Sequence, residues 1–374
     1  MRQSPIYIFA GGGTGGHLYP GLAVAEELAK LDPAARIVFA CSNRLIDRKI
    51  LNSYPYAIVP QPVRPIPRGM KGWIGFLGSL RASAAQSRQM VADLKPAAVL
   101  GLGGFAAGPM VRRAAKVGIP TALLNPDGVP GAANKLLSRH VDAIFTQFES
   151  AGACFCSSAR KKVLVAGCPI RTSLLAASRA EAVNFFELKP DRKTLLVFGA
   201  SLGAASINDA FVQLAADLEP FGDAWQIMFI TGTGKGEALA GAYRDRGIFA
   251  RGLEYCDRMD LAYAVSDLAV CRSGASTVAE LSATGTPAVL LPYPYHKDQQ
   301  QKLNAADMAA AGAAIICDDA KDPSVNAIKL RQILLGLLKD EARLANMKSA
   351  AAGIGKPYAA REVANWLVAS GNGT

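Results

Sequence analysis

The sequence predicts an α/β protein built from two Rossmann-like domains that face each other across a cleft. Three observations carry this expectation. Short, unbroken apolar runs alternate with helix-like segments along most of the chain, the pattern of parallel strands covered on both faces. Two of these runs break into glycines and restart as helices: "IFAGGGTGGHLYPGLAVAEEL" at residues 8–28 and "LLVFGASLGAASINDAFVQL" at 195–214. A chain of 374 residues also exceeds what one core organises, so two domains are expected.

Taken in order, "PIYIFA" (5–10) reads as a buried strand, "PGLAVAEELAKL" (20–31) as a helix and "RIVFAC" (36–41) as the next strand. "AAVLGLGG" (97–104), "TALLNP" (121–126) and "AIFTQF" (143–148) are further apolar runs, and "KVLVAGCPIR" (162–171) ends the series. "KTLLVFGA" (193–200) opens a second series in the same manner as the first. "QIMFITG" (226–232), "DLAVCRSG" (267–274) and "PAVLLPYP" (287–294) continue it. The boundary is placed between a first domain at 1–167 and a second at 168–356. No low-complexity linker separates them.

Composition narrows the function classes. No run approaches the ~18 apolar residues of a membrane span, and the N-terminal run is too short for a signal peptide. A cytoplasmic protein is expected. The seven cysteines, at 41, 154, 156, 168, 256, 271 and 317, are scattered, and no histidine stands beside the 154/156 pair. That spacing suits no zinc site, and buried reduced thiols are expected. A formal net charge of +11 favours anionic partners: nucleic acid, phosphorylated substrates or an acidic membrane surface.

A strand that turns through glycines into a helix directs backbone N–H groups and the positive helix end at one spot, which suits phosphate. Gly11, Gly13 and Gly16 satisfy G-x-G-x-x-G. However, "RIVFACSNR" lacks the acid after the second strand that a dinucleotide ribose needs. "TGTGKGE" (231–237) fails as a phosphate loop of the G-x-x-x-x-G-K-[ST] kind. Gly199-Ala200-Ser201-Leu202-Gly203 fits a nucleophile elbow, with Asp267 and His296 in the matching chain order. A hydrolase, however, leaves the first glycine loop without a role. The densest polar cluster is "CRSGASTVAELSATGTPAVLLPYPYHKDQQQKLNAADM" at 271–308. Gln300, Gln301 and Asn304 suit sugar hydroxyls, and Glu280 can accept two hydroxyls from a ribose diol.

Together "GGTGGHLYPGLAVA", "GLGGFAAGP", "VPGAANKLL", "GCPIR", "FGASLGAASIN", "RSGASTVAEL" and "HKDQQQKLNA" resemble, in this order, the MurG family of glycosyltransferases. The resemblance implies a GT-B fold and transfer of N-acetylglucosamine, with inversion, from UDP-N-acetylglucosamine to lipid I, giving lipid II for peptidoglycan. It implies that Ser201 meets the diphosphate, Arg171 and the backbone at Cys256 the uracil, and Glu280 the ribose. Gln300 and Gln301 would meet the sugar. Thr14, Gly15, Gly16, His17, Gly103 and Gly104 would face the acceptor pyrophosphate and the reacting centre. A C-terminal helix within 357–374 is expected to complete the first domain. No cofactor, no metal and no nucleic acid partner are implied, and the enzyme is expected at the cytoplasmic face of the plasma membrane, held peripherally.

Two departures qualify the carry-over. Where the family carries His-Glu-Gln-Asn this chain reads Leu124-Asn125-Pro126-Asp127, so an anion replaces a neutral amide. Ala200 and Leu202 stand where the family has Gly and Gln. Another UDP-sugar or a glycolipid acceptor is therefore the alternative, ahead of a serine hydrolase at Ser201 or a non-catalytic UDP-sugar-binding module. His17 and Asp127 are the candidate bases.

Other readings of these residues stand beside the functional ones. Thr277-x-x-Glu280 matches a capping box, His17 can be a cap or packed side chain, and Arg171 can pair with an acid. His140 reads as structural, and Gln299 as solvent-facing. In "RPIPRGMKGWIGFLGSLRASAAQSR" (64–88), Trp73, Phe76, Leu77 and Leu80 share one helix face. With Ile74, and with Arg64, Arg68, Lys71 and Arg81 alongside, they form either a patch for an anionic bilayer or a core stripe.

Overall fold

The computed structural model describes residues 4–65, 67, 69, 72–199 and 203–372. The chain divides into two units, Met1–Arg171 with Tyr358–Thr374, and Thr172–Pro357. In the first unit seven strands form one parallel sheet: β1 (Ile6–Gly11), β2 (Arg36–Ser42), β3 (Ala57–Gln61), β4 (Ala98–Gly103), β5 (Thr121–Asn125), β6 (Ala143–Thr146) and β7 (Val163–Leu164). Their spatial order is β3-β2-β1-β4-β5-β6-β7.

Strand β1 shows why the run is apolar throughout. Tyr7 and Phe9 pack into one cluster, with Leu22, Phe39 and Leu100. Ile6, Ile8 and Ala10 pack into the other, with Val38, Val99 and Met110. Successive side chains point to opposite faces, and both faces are covered. Each large side chain so buried contributes about 1.5–3 kcal/mol of transfer free energy. The helix Ala359–Gly371 belongs to this unit: Val363, Ala364 and Leu367 join the Phe9 cluster, and Trp366 meets Phe145 edge-on.

In the second unit β8 (Lys193–Phe198), β9 (Trp225–Ile230), β10 (Ala250–Leu253), β11 (Leu268–Cys271), β12 (Ala288–Leu290) and β13 (Ala314–Ile316) form a six-stranded parallel sheet. Its order is β10-β9-β8-β11-β12-β13. Leu195, Val197, Phe211, Trp225, Phe229 and Tyr243 anchor its core. In each sheet the strand order reverses beside the strand that ends in glycines, β1 next to β4 and β8 next to β11. Such reversal points are where open α/β sheets bind ligands, outside the carboxyl ends of their strands.

The amphipathic segment folds as a helix over Trp73–Leu94, and the core-stripe reading does not hold for its first half. Only Ser83, Ser87, Met90 and Val91 are buried, whereas Ile74 is 88% exposed and Trp73 45%, with Leu77 and Leu80 also exposed. Trp73 packs edge-on against half-buried Phe76 instead. Arg68 and Lys71 lie outside the described residues. Among the described residues no helix is long and apolar enough to cross a membrane. All seven cysteines are free, and the expectation that all are buried fails for two: Cys154 is exposed and Cys156 half-buried.

Candidate functional site

In the first unit the carboxyl ends of β1, β4 and β5 bring together most of the expected residues. The helix Gly15–Leu31 starts directly after the glycine turn, with Thr14 at its N-cap and no acid in its first turn. The helix itself therefore places no negative charge at its positive end. The Thr14 hydroxyl makes no cap hydrogen bond; it lies 3.2 Å from His17 Nδ1. His17 in turn stands over Gly103 and Gly104. A Cβ on Gly103, already at φ +99°, would come within 3.1 Å of His17 Cδ2 and 3.2 Å of Nε2. Glycine there leaves the imidazole face open.

Burial lowers the His17 pKa from its ordinary value, and three features oppose it: the Asp127 carboxylate, a hydrogen bond to the Gly12 carbonyl, and the Asp47 carboxylate. The net result is a neutral ring at physiological pH with a carboxylate nearby. Asp127 follows β5, where the Asn125 side chain donates to its carbonyl at 2.7 Å. Asn125 also accepts from Asn134 Nδ2 at 3.1 Å, as does the Leu124 carbonyl. Asn134 is only 5% exposed, and its Oδ1 is buried without a hydrogen-bond partner. That oxygen would lie 3.7 Å from a Gly103 Cβ, on the same opening as His17.

Three contributors escaped the sequence reading. Asp47, fully buried in the short helix Leu45–Leu51, accepts the Gly13 N–H at 2.8 and 2.9 Å, and the Ser42 hydroxyl and N–H. The acid missing from "RIVFACSNR" thus arrives three residues later and binds the glycine turn. Arg44 donates to the Gly13 carbonyl at 3.0 Å and lies over the Phe105 ring. Asn134 sat in a recognised motif, but nothing in its spacing announced a buried acceptor. Arg171 lies over the Tyr19 ring, and its charge acts on Glu26.

In the second unit Ser201 lies outside the described residues, as do Ala200 and Leu202. A Cβ on Gly203, at φ +77°, would sit 2.0 Å from the Thr231 carbonyl oxygen. The helix Ala205–Leu218 that follows has no acid in its first turn. Cys256, in the loop after β10, is buried, and burial pushes its thiol up to about 11.

The capping-box reading of Glu280 does not hold. The helix Ala275–Thr284 takes Gly274 as its N-cap, so Thr277 is already inside it. Glu280 instead accepts the Tyr263 hydroxyl at 2.8 Å. Gln300 opens the helix Gln300–Ala310, its N–H 3.3 Å from Asp298 Oδ1. Gln301 is partly structural: its Oε1 accepts from the Tyr293 N–H at 2.9 Å, and its carbonyl accepts from Ser273 Oγ at 2.8 Å. Gln299 is exposed.

Behind these residues runs a buried ion pair, Arg272 with Asp319 at 2.7 Å. Arg272 also donates to Ser206 and to the Leu291 carbonyl, tying the first turn of the Ala205–Leu218 helix to the end of β12. Burial pushes the Asp319 carboxyl up, but hydrogen bonds from Ser206, Asn326, the Lys321 N–H and Arg272 outweigh this and hold it below the usual range. Asp318 pairs with Lys302.

Among the described residues, Asp267 and His296 are not brought together as a hydrolase needs. Asp267 accepts from the Thr194 N–H and from Arg179 at the start of β8, the end opposite the glycine turn. His296 packs against Tyr293 beyond β12. Six residues of strand span ~20 Å, so Asp267 sits at the far end of β8 from Gly199.

Two family descriptions match the chain: the glycosyltransferase family 28 N-terminal domain over residues 7–146 and the glycosyltransferase family 28 C-terminal domain over 194–363. A protein of Syntrophus aciditrophicus named UDP-N-acetylglucosamine--N-acetylmuramyl-(pentapeptide) pyrophosphoryl-undecaprenol N-acetylglucosamine transferase is 36% identical over 369 residues, covering 97% of this chain and 98% of its own. A protein of the same name from Halothermothrix orenii is 34% identical, covering 98% and 99%. The crystal structure of Acinetobacter baumannii MurG aligns with a TM-score of 0.76 at 25% identity, covering 98% of this chain and 99% of that one.

Proposed function

The chain belongs to glycosyltransferase family 28, and from that premise we infer that it transfers N-acetylglucosamine from UDP-N-acetylglucosamine to the lipid-linked N-acetylmuramyl-pentapeptide acceptor, making lipid II for peptidoglycan. The observation that carries this reading is a likeness running at 36% identity through 97% of the chain, and so through both glycine turns.

The second unit takes the donor. The backbone at Cys256 meets the uracil. Glu280, oriented by Tyr263, accepts the ribose diol. Gln300 and Gln301 meet the sugar hydroxyls, Gln301 through its Nε2 because its Oε1 is committed to Tyr293. Ser201 and the N–H groups opening the Ala205–Leu218 helix stabilise the departing diphosphate, without a metal in that role.

The first unit takes the acceptor, with Thr14, Gly15, Gly16, Gly103 and Gly104 at its pyrophosphate. The attacking hydroxyl must lose a proton as it inverts the anomeric carbon. A half-buried, neutral His17 accepts it, and the Asp127 carboxylate favours the imidazolium that results. A positioned base of this kind contributes about 10²–10⁴ in rate.

The acceptor's polyprenyl chain stays in the bilayer, so the enzyme docks on the cytoplasmic face of the plasma membrane. Exposed Trp73, Ile74 and Leu77, with Phe76 beside them, enter the acyl boundary, and Arg64, Arg68 and Lys71 meet anionic headgroups. The test is UDP release from UDP-N-acetylglucosamine with lipid I and with a panel of other lipid-linked and glycolipid acceptors. Release with lipid I supports the assignment. Release confined to another acceptor transfers it to the related enzyme that Asp127 would then select.

A further inference from the structure

The Arg272–Asp319 pair is a hub in the second unit. Arg272 directly follows β11 and is 7% exposed, and the Asp319 side chain, beyond β13, has no exposed area. Arg272 Nη2 donates to Ser206 Oγ at 2.8 Å, and that hydroxyl donates to Asp319 Oδ2 at 2.7 Å. Arg272 Nη1 donates to the Leu291 and Pro292 carbonyls at 3.0 and 3.3 Å, just past β12. Asp319 Oδ1 accepts the Lys321 N–H at 2.7 Å and Asn326 Nδ2 at 2.8 Å. One ion pair thus joins the segments that leave β8, β12 and β13, all at the carboxyl ends of the strands. We propose that Arg272 is a positioning residue for the sugar nucleotide, holding the diphosphate end and the sugar end of the donor site in one fixed relation.

The inference rests on the reading of Thr172–Pro357 as the donor unit. Ser206 is the link to the first end, because it lies in the opening turn of the Ala205–Leu218 helix, whose N–H groups meet the diphosphate. Tyr293 is the link to the second. Its ring centre lies 5.7 Å from the Arg272 guanidinium carbon, and its N–H donates to Gln301 Oε1 at 2.9 Å. Ser273, the residue after Arg272, adds a second tie: its hydroxyl donates to the Gln301 carbonyl at 2.8 Å. Gln301 is thereby held from two sides, with its Nε2 left for the sugar.

Stability alone gives no reason for burying this pair. Taking two ions out of water costs about what their attraction returns, and apolar side chains of the same volume often serve as well. What the guanidinium adds is direction: its N–H groups lie in a rigid plane and fix several partners at set angles. The two charges also cancel, so the helix end keeps its own field at the diphosphate. Lysine keeps the charge but not the fork. Preorganised donors of this kind stabilise a developing anion without rearranging as it forms.

Calorimetry on the full chain compares uridine, UDP and UDP-N-acetylglucosamine across three variants. Ser206→Ala cuts only the first link. UDP should then bind about fivefold more weakly, the worth of one hydrogen bond, while uridine binds as it does to the wild type. Ser206→Thr keeps the hydroxyl and should restore UDP binding. Arg272→Lys slackens both links, so UDP-N-acetylglucosamine should lose more affinity than UDP, and the donor KM should rise with the acceptor KM unchanged. Ser206 is half-buried, and its two variants decide the matter even where Arg272→Lys misfolds. Wild-type UDP affinity in Ser206→Ala, or equal losses for uridine and UDP, overturns the proposal. A wild-type chain that binds none of the three ligands overturns the donor reading itself, and the proposal with it.

Discussion

The buried Asp47 carboxylate receives the Gly13 N–H on both of its oxygens, at 2.8 and 2.9 Å. The glycine turn is thus pinned from beneath, and the Gly13 N–H points at protein rather than ligand. Gly12 is held to the same standard, because a Cβ there would lie 2.4 Å from Asp47 Oδ2. Asp47→Ala strands three buried donors, each costing about 1–3 kcal/mol when unsatisfied. We expect a loss of at least about 2 kcal/mol by urea denaturation, and a KM for acceptor raised more than that for UDP-N-acetylglucosamine. Unchanged stability would show that the turn holds its shape without this carboxylate.

The pH profile follows from His17. Its pKa lies below its ordinary 6.5, with burial as the main cause. A base works unprotonated, so kcat/KM should rise as pH increases through that pKa, placing the acid limb below 6.5. The Asp127 carboxylate raises the His17 pKa, so Asp127→Asn should move the limb to still lower pH. His17→Ala should lower kcat by about 10²–10⁴. Turnover near wild type in His17→Ala would remove it from the chemistry.

Tyr263 is fully packed, and its hydroxyl serves Glu280. Tyr263→Phe keeps the ring and deletes one hydrogen bond to a charged group, an interaction of about 1.5–3 kcal/mol. Calorimetric titration with UDP should show about tenfold weaker binding, with kcat at saturating donor nearly unchanged. A kcat fall at constant affinity would place Tyr263 in the chemical step instead.

Exposure makes the proposed membrane patch separable from the fold. Because Trp73 and Ile74 face outward, the double variant Trp73→Ser with Ile74→Ser should keep its stability within about 0.5 kcal/mol per site. Co-sedimentation with vesicles of anionic lipid should fall sharply, while UDP binding stays intact. Wild-type binding should itself weaken as salt screens the headgroup attraction. Equal sedimentation of variant and wild type would locate docking elsewhere.

What the sequence makes legible is decided by burial. Central strands such as β1, β4 and β8 are apolar at nearly every position because both faces are covered, and they stand out as unbroken runs. The strands that do not announce themselves, β3, β10 and β13, are all at sheet edges. There partial exposure admits Pro60 and Arg251, and β13 is only three residues long. The glycine turns and the Gln300–Gln301 cluster are local patterns and can be read directly. Asp47 reaches 34 residues back along the chain to Gly13, a relation no local spacing encodes. The Trp73 stripe shows the converse: its periodicity fixes a helix but is silent on whether the apolar side meets core or solvent.

The helix Ala359–Gly371 has a consequence in time. Its Val363, Ala364 and Leu367 close a core whose other members include Tyr7, Phe39 and Ala98. A ribosome makes those strands first and this helix only after the whole of Thr172–Pro357 has been synthesised. Domains tend to fold in the order in which they emerge, yet here the earlier unit must wait for the later one. During synthesis the nascent first sheet therefore carries a bare apolar strip, and its final packing is gated by the completion of its neighbour.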